Sequence, residues 1–190
     1  MGELKLYMLL LGCRPKGRLT EQHDIFFGIG RNLKELIPHI NTFWPEVKGN
    51  IHIDAWREVT QVNDHSITII ERPAASDIEN ASKQKLFFLN LGGYKKEEFD
   101  EFHYKVLAVA KDPAEAILFA KQTSFYKHVG FKGAPSHIDD KYGLDIDDIF
   151  VVKDILPGIF KNKYTISVKK ENKHPEDQMH LGYLPLKKIE

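Results

Sequence analysis

Apolar and polar positions alternate along this chain in an order that occurs twice. Leu4 to Leu11 and Asp24 to Ile29 are apolar runs of strand length, and Leu33, Leu36, Ile37, Ile40, Phe43 and Trp44 then follow at helical spacing. Ile51 to Val59 and Ile67 to Ile70 read as two more strands, with Asn63-Asp64 supplying a turn between them. The order then restarts. Leu86 to Leu91 and Tyr104 to Val109 are strand-like, and Ala116, Ile117, Ala120 and Ser124 form a flatter helical face. Both helices open on the same cap signal, Asn32 with Glu35 and Asp112 with Glu115, in which two side chains satisfy backbone N–H groups of the first turn. Pro113 suits the first helical position, whereas Pro38 removes a hydrogen bond and is expected to kink the first helix.

Laying Leu6 to Ile37 over Leu86 to Ile117 brings nine identical residues into register over 32 positions, Gly12, Glu21 and His23 among them. Average residue usage would give roughly two. After a five-residue insertion, His52-Ile53-Asp54 falls over His137-Ile138-Asp139. The predicted fold is therefore α+β, two tandem ββαββ (β-grasp-like) units related by internal duplication. The first spans 1–70 and the second 86–170, with a polar linker at 71–85. A charged tail, 171–190, follows, in which Leu181 to Leu186 are expected to dock as a last extended segment. One helix against a four-stranded sheet is the packing such a unit calls for, and a ferredoxin-like grouping of the same elements is the alternative.

Charge narrows the range of partners. Lys plus Arg and Asp plus Glu both number 27, so no surplus of cations is available to hold a phosphate backbone, and a nucleic-acid partner is not expected. The one cysteine, Cys13, cannot pair within the chain and points to a reducing compartment, so a cytoplasmic location is expected. Leu10-Leu11-Gly12-Cys13 has the look of a lipoprotein cleavage box, but the segment before it is shorter than a secretory signal. The same run recurs at Leu86 to Gly92, inside the chain, and a strand is the simpler reading. No apolar stretch reaches the length of a membrane helix, so no membrane partner is expected.

The candidate chemistry lies in the repeated residues. Glu21 and His23 are two apart, as are Glu101 and His103, and on a strand that spacing turns both side chains to one face. His52 and Asp54 share a face for the same reason, with Trp56 following as a pocket wall, and His137 and Asp139 are their counterparts. If the faces coincide, each copy gathers two imidazoles and two carboxylates. Such a set suits a divalent metal with open positions, with His23, His52 and Asp54 as its ligands. It equally suits proton transfer, with Glu21, His23, His52 and Asp54 as catalytic candidates. Hydrogen bonding that merely ties a hairpin is the third reading. Arg14 and Arg18, in the loop Cys13-Arg14-Pro15-Lys16-Gly17-Arg18, could hold an anion. Asp139, Asp140, Asp145, Asp147 and Asp148 lack the spacing of a calcium loop and read as solvated. Cys13, at a strand end, reads as a small half-buried residue.

Leu9-Leu10-Leu11-Gly12, Glu21-Gln22-His23-Asp24, His52-Ile53-Asp54-Ala55-Trp56, Leu89-Asn90-Leu91-Gly92-Gly93-Tyr94 and Glu101-Phe102-His103 together resemble the bacterial family catalogued as domain of unknown function 1543. The likeness covers about residues 4 to 170. Gln22 and Phe102 stand where that family often has Leu, which leaves the Glu and His untouched. The resemblance implies a cytoplasmic bacterial protein with two related halves, and it supplies no catalytic residues. Three functions follow from the residues. The first is a small-molecule or anion binding module with a site at the junction of the copies, lined by Glu21, His23, His52, Asp54 and Trp56. The second is a metal-dependent or acid–base hydrolase on the same residues, and the third is a structural or assembly role. Homo-oligomerisation is left open by composition.

Overall fold

The computed structural model describes residues 2–47, 50–72, 83–94, 97–122, 144–171 and 177–189, the side chains of 94 and 144–146 aside. The fold is α+β and rich in strands, with three antiparallel sheets among the described residues. The chain forms two compact units, Met1–Ala81 with Ile155–Glu190, and Ser82–Asp154. Among the described residues, no helix is long and apolar enough to cross a membrane.

In the first unit β1 (Lys5–Cys13) lies between β2 (Gln22–Gly30) and β3 (His52–Val59), and β10 (His180–Pro185) pairs with the outer edge of β3. Alternation along β1 sends Tyr7, Leu9, Leu11 and Cys13 to one face, and all four are buried. Register places Phe26 beside Leu9 on that face. There Phe26 meets Phe43 edge-to-face at 5.3 Å, which holds α1 (Ile37–Phe43) against the sheet. Gly28 belongs to the same contact, because a Cβ there would come within 2.9 Å of Leu36.

Both cap signals form as read. Asn32 accepts from the Glu35 N–H at 3.1 Å, and Glu35 reaches back to the N–H of Arg31 at 2.9 Å. Asp112 and Glu115 repeat the arrangement at 2.9 and 2.7 Å, the latter to the N–H of Lys111, opening α2 (Pro113–Ala120). The expected kink at Pro38 takes another form. Leu33–Leu36 is a 3₁₀ turn and the α-helix starts only at Ile37, so Pro38 stands in a first turn, where its missing N–H has no intrahelical partner to lose.

A second sheet of this unit contains β4 (Gln61–Val62), β5 (His65–Glu71) and β9 (Tyr164–Lys170), in that order. Asn63, at φ 55°, makes the turn into β5 with Asp64. Here the structure departs from the expected ββαββ division. β5 is not the fourth strand of the β1 sheet; it pairs with β9, and the edge beside β3 goes to β10. A chain corner explains this. The backbone N–H groups of Thr60 and Gln61 turn out of the sheet to donate to Asp177 at 2.9 and 3.0 Å, which carries the chain away after Val59 and brings in the C-terminal segment. The residues expected to close a second repeat at 170 and the tail from 171 thus pack with the first unit.

The second unit is the sheet β7-β6-β8, made of β6 (Lys85–Tyr94), β7 (Glu101–Ala110) and β8 (Leu144–Val151). Phe87, Leu89 and Leu91 pack with Ala108, Ala110, Ala116 and Ala120 into its core. The alanines on α2 and β7 let helix and sheet approach closely, as their small side chains suggest.

Candidate metal centre

Glu21, His23, His52 and Asp54 come together at one end of the β1 sheet. Gly12 is the reason they can. It pairs with His23 on one side and His52 on the other, on the face turned away from Leu11 and Cys13. Between Leu10 and Leu11 the register of β1 and β3 shifts by one residue, so Asp54 bulges out of the ladder. The bulge and the missing side chain of Gly12 leave a hollow on the strand, which the Asp54 carboxylate and the His52 ring fill. A Cβ on Gly12 would collide with Asp54 Oδ2 and stand 2.5 Å from His52 Nε2.

The polar atoms of the cluster face inward. His52 Nε2 lies 3.0 Å from Glu21 Oε1 and 3.2 Å from Asp54 Oδ1. His23 Nε2 lies 3.2 Å from Asp54 Oδ2 and 3.7 Å from Glu21 Oε2. Each carboxylate therefore turns one oxygen to His52 and the other to His23. One ligand atom from each of Glu21, His52 and Asp54 falls within 4.8 Å of the others. His52 is only 7% exposed, yet among the described residues neither its Nε2 nor Asp54 Oδ2 has a hydrogen-bond partner. An imidazole N–H donates along one direction, so one ring nitrogen between two carboxylates cannot satisfy both. Two ligand atoms each about 2.1 Å from a shared ion, at octahedral or tetrahedral angles, are about 3.0–3.4 Å apart. The spacing around His52 is of that size.

The neighbours of the cluster are aromatic and electrostatic. The Tyr183 ring of β10 packs on the His52 ring at 4.4 Å. Burial pushes the Cys13 thiol up, and the charge of Glu21 adds to it; Cys13 is fully buried rather than half-buried. Arg14 and Arg18 lie exposed in the loop leaving this end of β1, where Arg14 Nε donates to the Arg18 carbonyl at 3.3 Å and Gly17 takes φ +84°.

Several expectations change with the bulge. Skipping Asp54 moves Trp56 opposite Leu9, onto the face of Ile53 and away from His52, where it stacks on His180 at 3.9 Å. Trp56 is therefore not a wall of the His52 and Asp54 face. The four residues all belong to the first unit rather than to a junction of copies. His137 and Asp139 lie outside the described residues. The place that His52 holds opposite Gly12 is held opposite Gly92 by Asp145. Glu101 and His103 belong to the second unit and meet Asp147 there, at 3.3 Å from His103 Nε2, so Asp147 is not simply solvated. The sequence reading overlooked Gly12 as a site residue, although its match to Gly92 was a signal. It also overlooked Tyr183, for which the sequence held none.

The chain is similar in fold to the crystal structure of a protein Il1583 from Idiomarina loihiensis, with a TM-score of 0.62 and 21% identity over 97% of this chain and 99% of that one. No curated protein matches it. Residues 18–69, which hold Glu21, His23, His52 and Asp54, match the model of the family described as Domain of Unknown Function (DUF1543), which bears out over that stretch the resemblance read from the sequence.

Proposed function

We propose that the first unit holds a divalent transition-metal ion at Glu21, His52 and Asp54, and that the ion is the anchor for a small anionic ligand. The observation that carries this is His52 Nε2, buried, without a hydrogen bond among the described residues, and facing two carboxylates at coordination spacing. One imidazole and two carboxylates suit Zn, Fe or Mn and leave positions open for water or ligand. His23 supports the arrangement from outside, since its Nε2 faces the second oxygens of both carboxylates and orients them. Arg14 and Arg18 supply charge for an anion. Hydrolysis by a metal-bound water is the second reading, favoured by the open positions that a three-ligand set leaves. Gly12 paired with His23 beside the bulged Asp54, and Gly92 paired with His103 beside Asp147, which the β6–β8 register skips in the same way, read as descendants of one duplicated segment.

The test is metal analysis of tag-free protein, followed by calorimetric titration of the stripped chain with Zn²⁺ and Mn²⁺. The parent chain should bind, His52→Ala should lose binding, and His23→Ala should weaken it by about 10–100-fold. Equal affinity in the parent chain and His52→Ala would overturn the proposal. Inorganic phosphate then separates the two readings, because a binding module takes it up only when loaded with metal and releases nothing, whereas a hydrolase turns over p-nitrophenyl phosphate.

A further inference from the structure

Tyr183 reaches the first cluster by a course that the ladder records. Asp54, which bulges from the pairing of β3 with β1, is skipped on the β10 side as well, where Gly182 and Tyr183 stand between the pairs Leu181–Ala55 and Leu184–Ile53. Gly182 takes φ +121°, in the region that favours glycine, although a Cβ there would meet nothing within 4 Å. The glycine therefore serves the direction of the backbone and not the room around it. That direction lays the Tyr183 ring on the His52 ring at 4.4 Å, tilted by 44°.

The two faces of β10 are used differently. On the face of Leu9 and Ile53, His180 and Trp56 stack 3.9 Å apart with their planes 5° from parallel, so each ring has a partner of its own. On the face of His52, Tyr183 leans on one small ring and is still 69% exposed. Leu181 lies on that same face, because it pairs with Ala55 and Ala55 with Leu10, two residues before Gly12. It is 79% exposed. β10 is the outer strand of its sheet, where exposed apolar side chains invite unwanted pairing and charged ones are the usual safeguard. Here two large apolar side chains stand in solvent at that edge, and one of them touches the imidazole on which the metal reading depends.

We infer that the anion held at the metal of the first unit carries a flat apolar group, and that Tyr183, with Leu181 two residues before it, is the surface on which that group lies. The inference rests on the metal reading and adds to it the other end of the ligand. An aryl phosphate or arylphosphonate has this shape. Its oxygens would take the open positions of the ion, and its ring would meet the free side of Tyr183 in the offset or edge-on contact that aromatic pairs prefer. An inorganic anion would leave both side chains in water.

The experiment uses the full chain, stripped with EDTA and loaded with one equivalent of Zn²⁺, whose uptake is measured first. Calorimetric titration then compares phenylphosphonate with methylphosphonate, two anions that share a head group and are not hydrolysed. The parent chain should bind phenylphosphonate about tenfold more tightly. Tyr183→Ala should bring the two affinities together, Tyr183→Phe should keep them apart, and Leu181→Ser should narrow the gap. Circular-dichroism melting shows which variants fold, and Leu181→Ser carries the test if Tyr183→Ala does not. A parent chain that takes up Zn²⁺ but binds neither phosphonate, or both alike, would overturn this inference and leave the metal reading standing. So would a preference that survives unchanged in the folded Tyr183 and Leu181 variants, or phenylphosphonate binding undiminished in His52→Ala. A parent chain that takes up no Zn²⁺ would overturn both.

Discussion

Gly12→Ala isolates the reasoning about the first cluster in one methyl group. Gly12 lies outside the left-handed region, so the backbone tolerates an L-residue there. If backbone freedom were all that mattered, alanine in a strand interior would stabilise the chain by about 0.5–1 kcal/mol. The structure predicts something else, because the new Cβ collides with the Asp54 carboxylate and stands 2.5 Å from His52 Nε2. Moving a side chain off its rotamer costs about 0.5–1.5 kcal/mol, so the two terms nearly cancel and the metal-free melting temperature should shift by only a few degrees. Affinity has no such offset. Disturbing the arrangement of ligands should weaken binding by about 10–100-fold. At an ion concentration one hundred times the parent Kd, binding adds about 2.7 kcal/mol, or about 5–11 °C for a chain of this size. A site about one hundredfold weaker keeps about 0.4 kcal/mol of that, or about 1 °C. Gly158→Ala is the control, since a Cβ there meets nothing within 4 Å. Melting scans with and without Zn²⁺ read both quantities. A Gly12→Ala chain that keeps the full metal-induced shift would refute the reasoning, as would equal loss in Gly158→Ala.

Two further outcomes are expected. Burial, and then the charge and hydrogen bond of Glu58, push the Tyr7 hydroxyl up from 10.0 to about 12. The folded state therefore holds that proton more tightly than the unfolded one, so its stabilising share is full below about pH 10 and fades as pH climbs through 12. Guanidinium midpoints should fall over that range in the parent and less in Tyr7→Phe; identical slopes for the two would contradict it. Asp177 accepts from the N–H groups of Thr60 and Gln61 and, at 2.5 Å, from the Thr60 hydroxyl. Asp177→Ala should cost about 2–3 kcal/mol and speed amide exchange in β10, and unchanged exchange at residues 180–185 would show that the corner does not need it.

The periodic apolar runs, the two caps and the Asn63-Asp64 turn were legible in the sequence because each is settled within a few neighbouring residues. So was the likeness of Glu21-His23 to Glu101-His103, since spacing along one strand suffices to put both on a face. The strand partners were not legible. The Trp56 reading failed because alternation counts every residue, and a bulge at Asp54 removes one from the count. Letter match puts the counterpart of His52 at His137, outside the described residues, and only the ladder shows that Asp145 stands opposite Gly92.

What the chain determined by itself is local: where strands and helices begin, which residue types stand two apart, and that glycine recurs at 12 and 92. Tertiary structure decided the rest. That β10 rather than β5 lies beside β3, that Tyr183 covers His52, and that one imidazole is buried between two carboxylates all depend on pairings between distant segments. Backbone hydrogen bonds are alike for every residue, so which strands they join is decided by what the side chains can bury together, and no local stretch carries that information.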